Sequence, residues 1–287
     1  MKPFQQGRTQ RRWKRRIPDL AQAPATTPSG APLAAAPEVD EGDGKIRLNR
    51  FLAMAGIASR RACDSLIAAG EVRINGRVVR ELGTKVDGVH DLVEVQGQEL
   101  KRERPTYVLL NKPAGVVCTS ARHEQKTRAI DLCAHIRGRL FCVGRLDEDS
   151  EGLILLTNDG EFANRVSHPR YEVPKTYGVL VKGRMEHDDV DKAKGGVWLS
   201  EGRTGRFQVM IKRRSPDRTY LLVKIKEGKN REVRRLFARL GFPVVELKRL
   251  RIGSLTLHGL KPGKCRFLTP GEVQKLMTGV HDEEFGE

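Results

Sequence analysis

Residues 144–160 read GRLDEDSEGLILLTNDG, and the acids crowded into the first half are where chemistry could sit. Asp147 follows Leu146 directly, so it starts near a core; Asp149 and Glu151 are expected to be more exposed. The segment is a polar turn between the apolar stretch 140–143 and an apolar strand over 153–157. Such loops commonly carry reactive groups, because the strands hold them rigid while the loop stays accessible. A positioned carboxylate there can act as a nucleophile or as a base. Two plainer roles compete. Asp often caps a turn. In addition, Asp147, Asp149, Glu151 and Gly152 imitate the start of a calcium loop. That loop needs a bidentate Glu at its twelfth position, where Asn158 stands, and a strand follows instead of a helix. Calcium is set aside, but on these residues alone cap and catalyst stay open.

Other candidates lie further along. Tyr177 falls in the strand-like run Lys175-Thr176-Tyr177, where a Tyr is ordinarily a packing residue. Val233, Leu236, Phe237 and Leu240 mark one face of a helix. On that wheel Arg231 and Arg235 point outward, while Arg234 and Arg239 lie on the shoulders, so the wheel alone does not choose between the last two. Arg231, Arg235, Arg239, Lys248, Arg249 and Arg251 read as phosphate contacts or solvated charge. Gly228-Lys229 is not a phosphate loop, since Asn230 replaces Ser/Thr and the upstream glycine spacing is absent; no ATP or GTP use is indicated. The five cysteines (63, 118, 133, 142, 265) form no Cys-x-x-Cys pair, and the histidines are dispersed, so no metal site is expected. The cysteines read as small buried residues of a reducing cytoplasm.

These candidates need a scaffold. A length of 287 residues suggests two domains with a tail. The net charge of +17 favours a polyanionic partner, nucleic acid first and an anionic membrane surface second. No apolar run approaches the ~20 residues that span a bilayer, so the membrane is set aside. Residues 1–44 combine a basic start with an Ala/Pro-rich stretch that buries too little surface to fold. That segment can be an RNA-binding arm, a dispensable tail or an Arg-rich transit peptide. Residues 45–104 form a compact unit. Leu48, Phe51, Leu52 and Ala55 repeat at helical spacing up to Gly56. Ser59 caps a second helix, with Ala62, Cys63, Leu66 and Ile67 facing inward and Gly70 ending it. Val72 and Ile74 lead into Asn75-Gly76, a hairpin signal, and Val78 resumes the strand. Arg60 and Arg61 sit in the first turn of the second helix, where backbone N–H groups already favour phosphate. Residues 105–277 are mixed α and β, with strand-like runs at 107–111, 153–157, 176–181, 207–211 and 220–226. Residues 278–287 form an acidic tail.

Residues 47–79 resemble an S4-type RNA-binding module in their order of helix, Ser-Arg-Arg helix and Gly-x-Val-x-Ile-Asn-Gly hairpin. YVLLNKPAGVVCT (107–119), residues 144–183 and EGKNREVRRLFARLG (227–241) resemble the bacterial ribosomal pseudouridine synthases of the RsuA family, in which an S4-type module precedes the catalytic domain. The resemblance implies an α+β protein, with a mixed, mainly antiparallel sheet in the catalytic domain. It implies that Asp147 is the catalytic carboxylate and that Tyr177 is the active-site tyrosine. Arg234 becomes the basic partner of the Asp, with Lys229 as runner-up and a substrate contact. Arg145 helps hold the target nucleotide out of the RNA stack, and Arg60 and Arg61 contact RNA. The reaction implied has no redox step and calls for no cofactor. The expected partner is ribosomal RNA. Residues 147–177 most resemble family members acting on the large-subunit (23S) RNA, with small-subunit (16S) members as the alternative. A cytoplasmic monomer is expected. A non-catalytic ribosome-assembly factor on the same fold is the rival reading.

Overall fold

The computed structural model describes residues 44–121, 124–200, 202–205 and 207–279. The basic arm and nearly all of the acidic tail lie outside these residues.

The first unit forms as its local signals demand. Helix α1 (Leu48–Met54) buries Leu48, Phe51 and Leu52, and Gly56 follows in the left-handed region at φ 80°. Helix α2 (Arg60–Ala69) starts at Ser59, whose Oγ accepts the Ala62 N–H at 3.2 Å, and stops at Gly70 with φ 78°. Cys63 and Ile67 are buried, but Ala62, expected to face inward, is exposed. One residue of helix turns the chain by 100°, which carries position 62 off the face that holds Cys63. Strands β1 (Val72–Ile74) and β2 (Arg77–Val79) flank Asn75 and Gly76, both with positive φ, as a two-residue hairpin requires. Strand β3 (Val93–Val95) pairs antiparallel with β1. The helices close over Val72, Val86 and Val93 to make one small core.

The second unit is built on a nine-stranded sheet. Its strands are β4 (Tyr107–Lys112), β5 (Phe141–Val143), β6 (Glu151–Thr157), β7 (Lys175–Lys182), β8 (Gln208–Arg214), β9 (Arg218–Ile225), β10 (Val244–Ile252) and β11 (Cys265–Phe267), with the short strand Leu255–Thr256 beside β10. The order across the sheet is β8-β9-β7-β10-β6-β4-β11, and β5 pairs with β6. Among these pairs only β6 with β10 is parallel; the rest are antiparallel. The helices are α3 (Gly160–Ser167), α4 (His187–Gly195), α5 (Glu232–Arg239) and α6 (Pro270–Thr278).

Both faces of the sheet are covered, which explains the unbroken apolar runs at 108–110 and 153–156. Successive strand residues point to opposite faces. Leu110, Ile154 and Leu156 join Val190 of α4 and Leu236 and Phe237 of α5 in one core. Leu109, Leu153 and Leu155 join Phe162 and Val166 of α3 and Leu276 of α6 in another. The expected strands are present with their ends shifted by at most three residues. Strand β10, in which Lys248, Arg249 and Arg251 read from sequence as phosphate contacts or solvated charge, lies between β7 and β6. Leu247, Arg249 and Ile252 are its buried positions, and the cations interleaved among them hide the strand pattern.

The segment joining the two units is tied down. Asn158 Oδ1 accepts the Thr106 N–H at 2.8 Å, and its Nδ2 donates to the Arg104 carbonyl at 2.9 Å. Arg50 pairs with Glu161 at 3.0 Å, and Arg139 donates to the Ala58 carbonyl at 2.9 Å.

Candidate active site

The acid-dense turn 147–150 is shaped from several sides. Leu146 is buried in the core. The Ser150 N–H donates to the Asp147 carbonyl at 3.1 Å, so the backbone closes the turn. Lys112, from the Asn-Lys-Pro segment, is fully buried, and its ammonium donates to the carbonyls of Pro113 (3.0 Å) and Glu148 (3.3 Å). The Gly115 N–H donates to the same Glu148 carbonyl at 2.9 Å. At the far end, Gly152 has φ 105°, and a Cβ there would lie 2.2 Å from the Arg249 carbonyl oxygen. Only glycine lets β6 approach β10 this closely where their parallel pairing begins.

Asp147 then lines a cleft of 380 Å³ together with Arg145, Lys175, Tyr177, Arg231 and Arg249. Its Oδ2 lies 3.4 Å from Arg231 Nη1 and 3.9 Å from Arg234 Nε. Arg234 comes from the first turn of α5, and its side chain is only 11% exposed. Its Nη2 donates to the Asp149 carbonyl and the Ser150 hydroxyl, both at 3.2 Å. The Arg234 Nε is buried with no hydrogen-bond acceptor among the described residues. Burial draws the Arg234 pKa down, against the pull of Asp149 and Asp147. Burial alone would raise Asp149, but the hydrogen bond from Arg231 and the charges of Arg234 and Arg231 outweigh it and hold that carboxyl below its usual range.

Arg231, expected to point outward, instead turns back to Asp149 (3.2 and 3.3 Å) and Asp147. It precedes α5 in the left-handed region at φ 47°, so the helical wheel does not govern it. Arg249, expected as a phosphate contact or solvated charge, is 3% exposed. Its Nε donates to the Leu153 carbonyl at 2.6 Å and its Nη1 reaches the Arg145 carbonyl at 3.5 Å. Beside it, burial and the Arg249 charge push Lys175 down to about 8. The sequence signal for Arg249 was faint: a cation flanked by Leu247 and Ile252 in what proves to be a central strand.

Tyr177, on β7, stands opposite Arg249 on one side and Val223 on the other, and is 8% exposed. It belongs to the core and also walls the cleft. Arg145 is exposed at the rim. Lys229 lines the cleft too, but its ammonium is held by the Arg203 carbonyl at 2.9 Å and Glu227 at 3.5 Å. Arg60 and Arg61 are exposed on α2 and are not among the residues that line the cleft. The cleft therefore gathers Asp147, Tyr177, Arg145 and Lys229, with Arg234 behind the carboxylate. Cys63 and Cys133 are buried as expected, whereas Cys118, Cys142 and Cys265 are only partly so.

The RNA pseudouridylate synthase family model matches residues 106–239, and the S4 domain model matches residues 46–93. The chain is 44% identical over 234 residues to the ribosomal large subunit pseudouridine synthase B of Bacillus subtilis, covering 80% of this chain and 95% of that protein. The chain belongs to the RNA pseudouridylate synthase family. A second member, an uncharacterized RNA pseudouridine synthase of Aquifex aeolicus, is 41% identical over 237 residues, covering 82% and 95% of the two chains. A crystal structure of a pseudouridylate synthase is similar with a TM-score of 0.58 at 29% identity, covering 80% of this chain and 99% of that one. This pseudouridine synthase is thus an RNA-modifying isomerase whose S4 domain precedes the catalytic domain.

Proposed function

We propose that this pseudouridine synthase modifies a uridine of large-subunit (23S) ribosomal RNA and that Asp147 is its catalytic carboxylate. The target follows the 44% identity to the large-subunit enzyme of Bacillus subtilis. The observation that carries the catalytic role is the Asp147 carboxylate facing two guanidinium groups in a cleft walled by Tyr177.

The uridine must leave the RNA stack to enter, at a few kcal/mol. Arg145, at the rim, occupies the space from which that nucleotide came. In the cleft the N1–C1′ bond breaks, the uracil turns, and a C5–C1′ bond forms. The C5 proton leaves and N1 gains one, so atoms and electrons balance with no cofactor. Asp147 serves as nucleophile or base during bond exchange. Arg234 and Arg231 balance its charge as RNA excludes water. The Tyr177 ring stacks on the uracil, and its phenol stands ready for the C5 proton. The cytoplasm and a monomeric state are the setting this reading implies.

Asp147→Asn is expected to abolish pseudouridine formation while RNA binding persists. Normal activity in that variant removes Asp147 from the role. Mapping pseudouridines in rRNA from a strain lacking the gene decides the target: a missing site in 23S RNA supports the reading, and one in 16S RNA overturns the large-subunit assignment.

A further inference from the structure

Trp198 is 72% exposed. It sits in a two-stranded hairpin, Trp198–Leu199 with Gly202–Arg203, directly opposite Arg203. This hairpin is anchored rather than loose. The Val197 N–H donates to Thr204 Oγ1 and the Thr204 N–H to the Val197 carbonyl, both at 3.0 Å, and Thr204 is 5% exposed. The Gly205 N–H donates to the Glu227 carboxylate. The Arg203 carbonyl receives the Lys229 ammonium at 2.9 Å, and Lys229 lines the cleft. The hairpin base is therefore bound to the loop that carries Lys229 to the cleft wall and Arg231 to Asp147.

An indole exposed on a hairpin tied to the cleft loop is placed to meet whatever lies across the cleft mouth. Leu199 beside it is half-buried, and Trp198 is the one exposed large apolar side chain among the described hairpin residues, so the site lacks the contiguous patch of a protein-docking surface. Exposed Arg203, paired across the hairpin from Trp198, and the net charge of +17 favour an anionic chain. Extracting one uridine leaves neighbouring bases with open faces, and aromatic rings bind such faces with little regard to base identity. We propose that Trp198 is a stacking platform for an unpaired base of the substrate RNA next to the uridine held in the cleft. This rests on the reading of the Asp147 cleft as the uridine site. Trp198 then contributes affinity and placement, and takes no part in bond exchange.

The chain has two tryptophans, Trp13 and Trp198. In the full-length W13F variant all indole emission comes from Trp198. Saturation with rRNA from a strain lacking the gene, which carries the unmodified target in either subunit, is expected to quench that emission strongly. With the same rRNA as substrate, W198A is expected to raise KM on the order of ten-fold with kcat unchanged at saturation, and W198F to recover most of the loss. Unchanged emission at saturation, or a W198A KM within about two-fold of the parent, overturns the proposal. Loss of activity in D147N tests the cleft and leaves Trp198 untouched, so the two readings fail separately.

Discussion

Arg234 Nε faces Asp147 Oδ2 at 3.9 Å, while the same guanidinium holds the Asp149 carbonyl and Ser150 hydroxyl at 3.2 Å. One side chain thus shapes the loop and faces its carboxylate. Arg234→Ala removes both functions. A kcat loss on the order of 100-fold is expected, the scale of deleting a preorganised charge-stabilising donor. Stranding the two acceptors should also cost about 1–3 kcal/mol of stability. Arg234→Lys keeps the charge without the fork and should fall between. Single-turnover release of the uridine C5 hydrogen, with urea unfolding, measures both. Equal activity in all three proteins would remove Arg234 from the site. Arg231, 44% exposed, should matter mainly to KM.

Gly152→Ala should be among the most damaging small substitutions. The added Cβ would meet backbone of the neighbouring strand at 2.2 Å, and backbone cannot swing aside as a side chain can. The φ of 105° adds strain for any L side chain. Gly144→Ala is the control: φ is 70°, but the nearest atom, Ser167 Cβ, is 3.9 Å away. Thermal melts should show a large drop for G152A and a modest one for G144A. Similar drops would mean that the close approach of β6 to β10 is not what this glycine serves.

Glu232 is 3% exposed. Burial, and then the Glu227 carboxylate, push its carboxyl up from 4.5 to about 7. A raised carboxyl contributes stability that is complete below its unfolded value and lost as pH rises through the folded one. Glu232→Gln removes this titration. The variant and parent should melt together near pH 4.5, and the variant should become the more stable as pH passes about 7. A constant offset across that window would show that Glu232 does not titrate there.

Asn158, which ruled out a calcium loop in the sequence, proves to fasten the interdomain segment through Thr106 and Arg104. Its Nδ2 also reaches Glu103 at 3.3 Å. Asn158→Ala should cost about 1–3 kcal/mol by leaving these groups unpaired. It should also expose residues 100–106 to limited proteolysis and raise KM for rRNA more than it lowers kcat. Unchanged cleavage would mean the segment is held elsewhere.

Much of the architecture is local and was therefore legible. The Ser59 cap, the Gly70 stop, the Asn75-Gly76 turn and the apolar runs of β4 and β6 act within a few residues of chain. Residue types alone also put a cluster of carboxylates in the 144–152 turn and cations in the first turn of α5. They could not decide whether Asp147 merely capped that turn, nor separate Arg234 from Arg239. Those choices belong to tertiary structure. The Arg231–Asp149 contact spans 82 positions and the Arg249–Leu153 contact 96. No local periodicity encodes such distances. They arise because β10 enters the sheet parallel to β6 at Gly152, burying Arg249, and because α5 packs through Leu236 and Phe237 with Arg234 beside the loop. The sequence by itself determined the chemistry available; the order of strands across the sheet decided which charges that chemistry would meet.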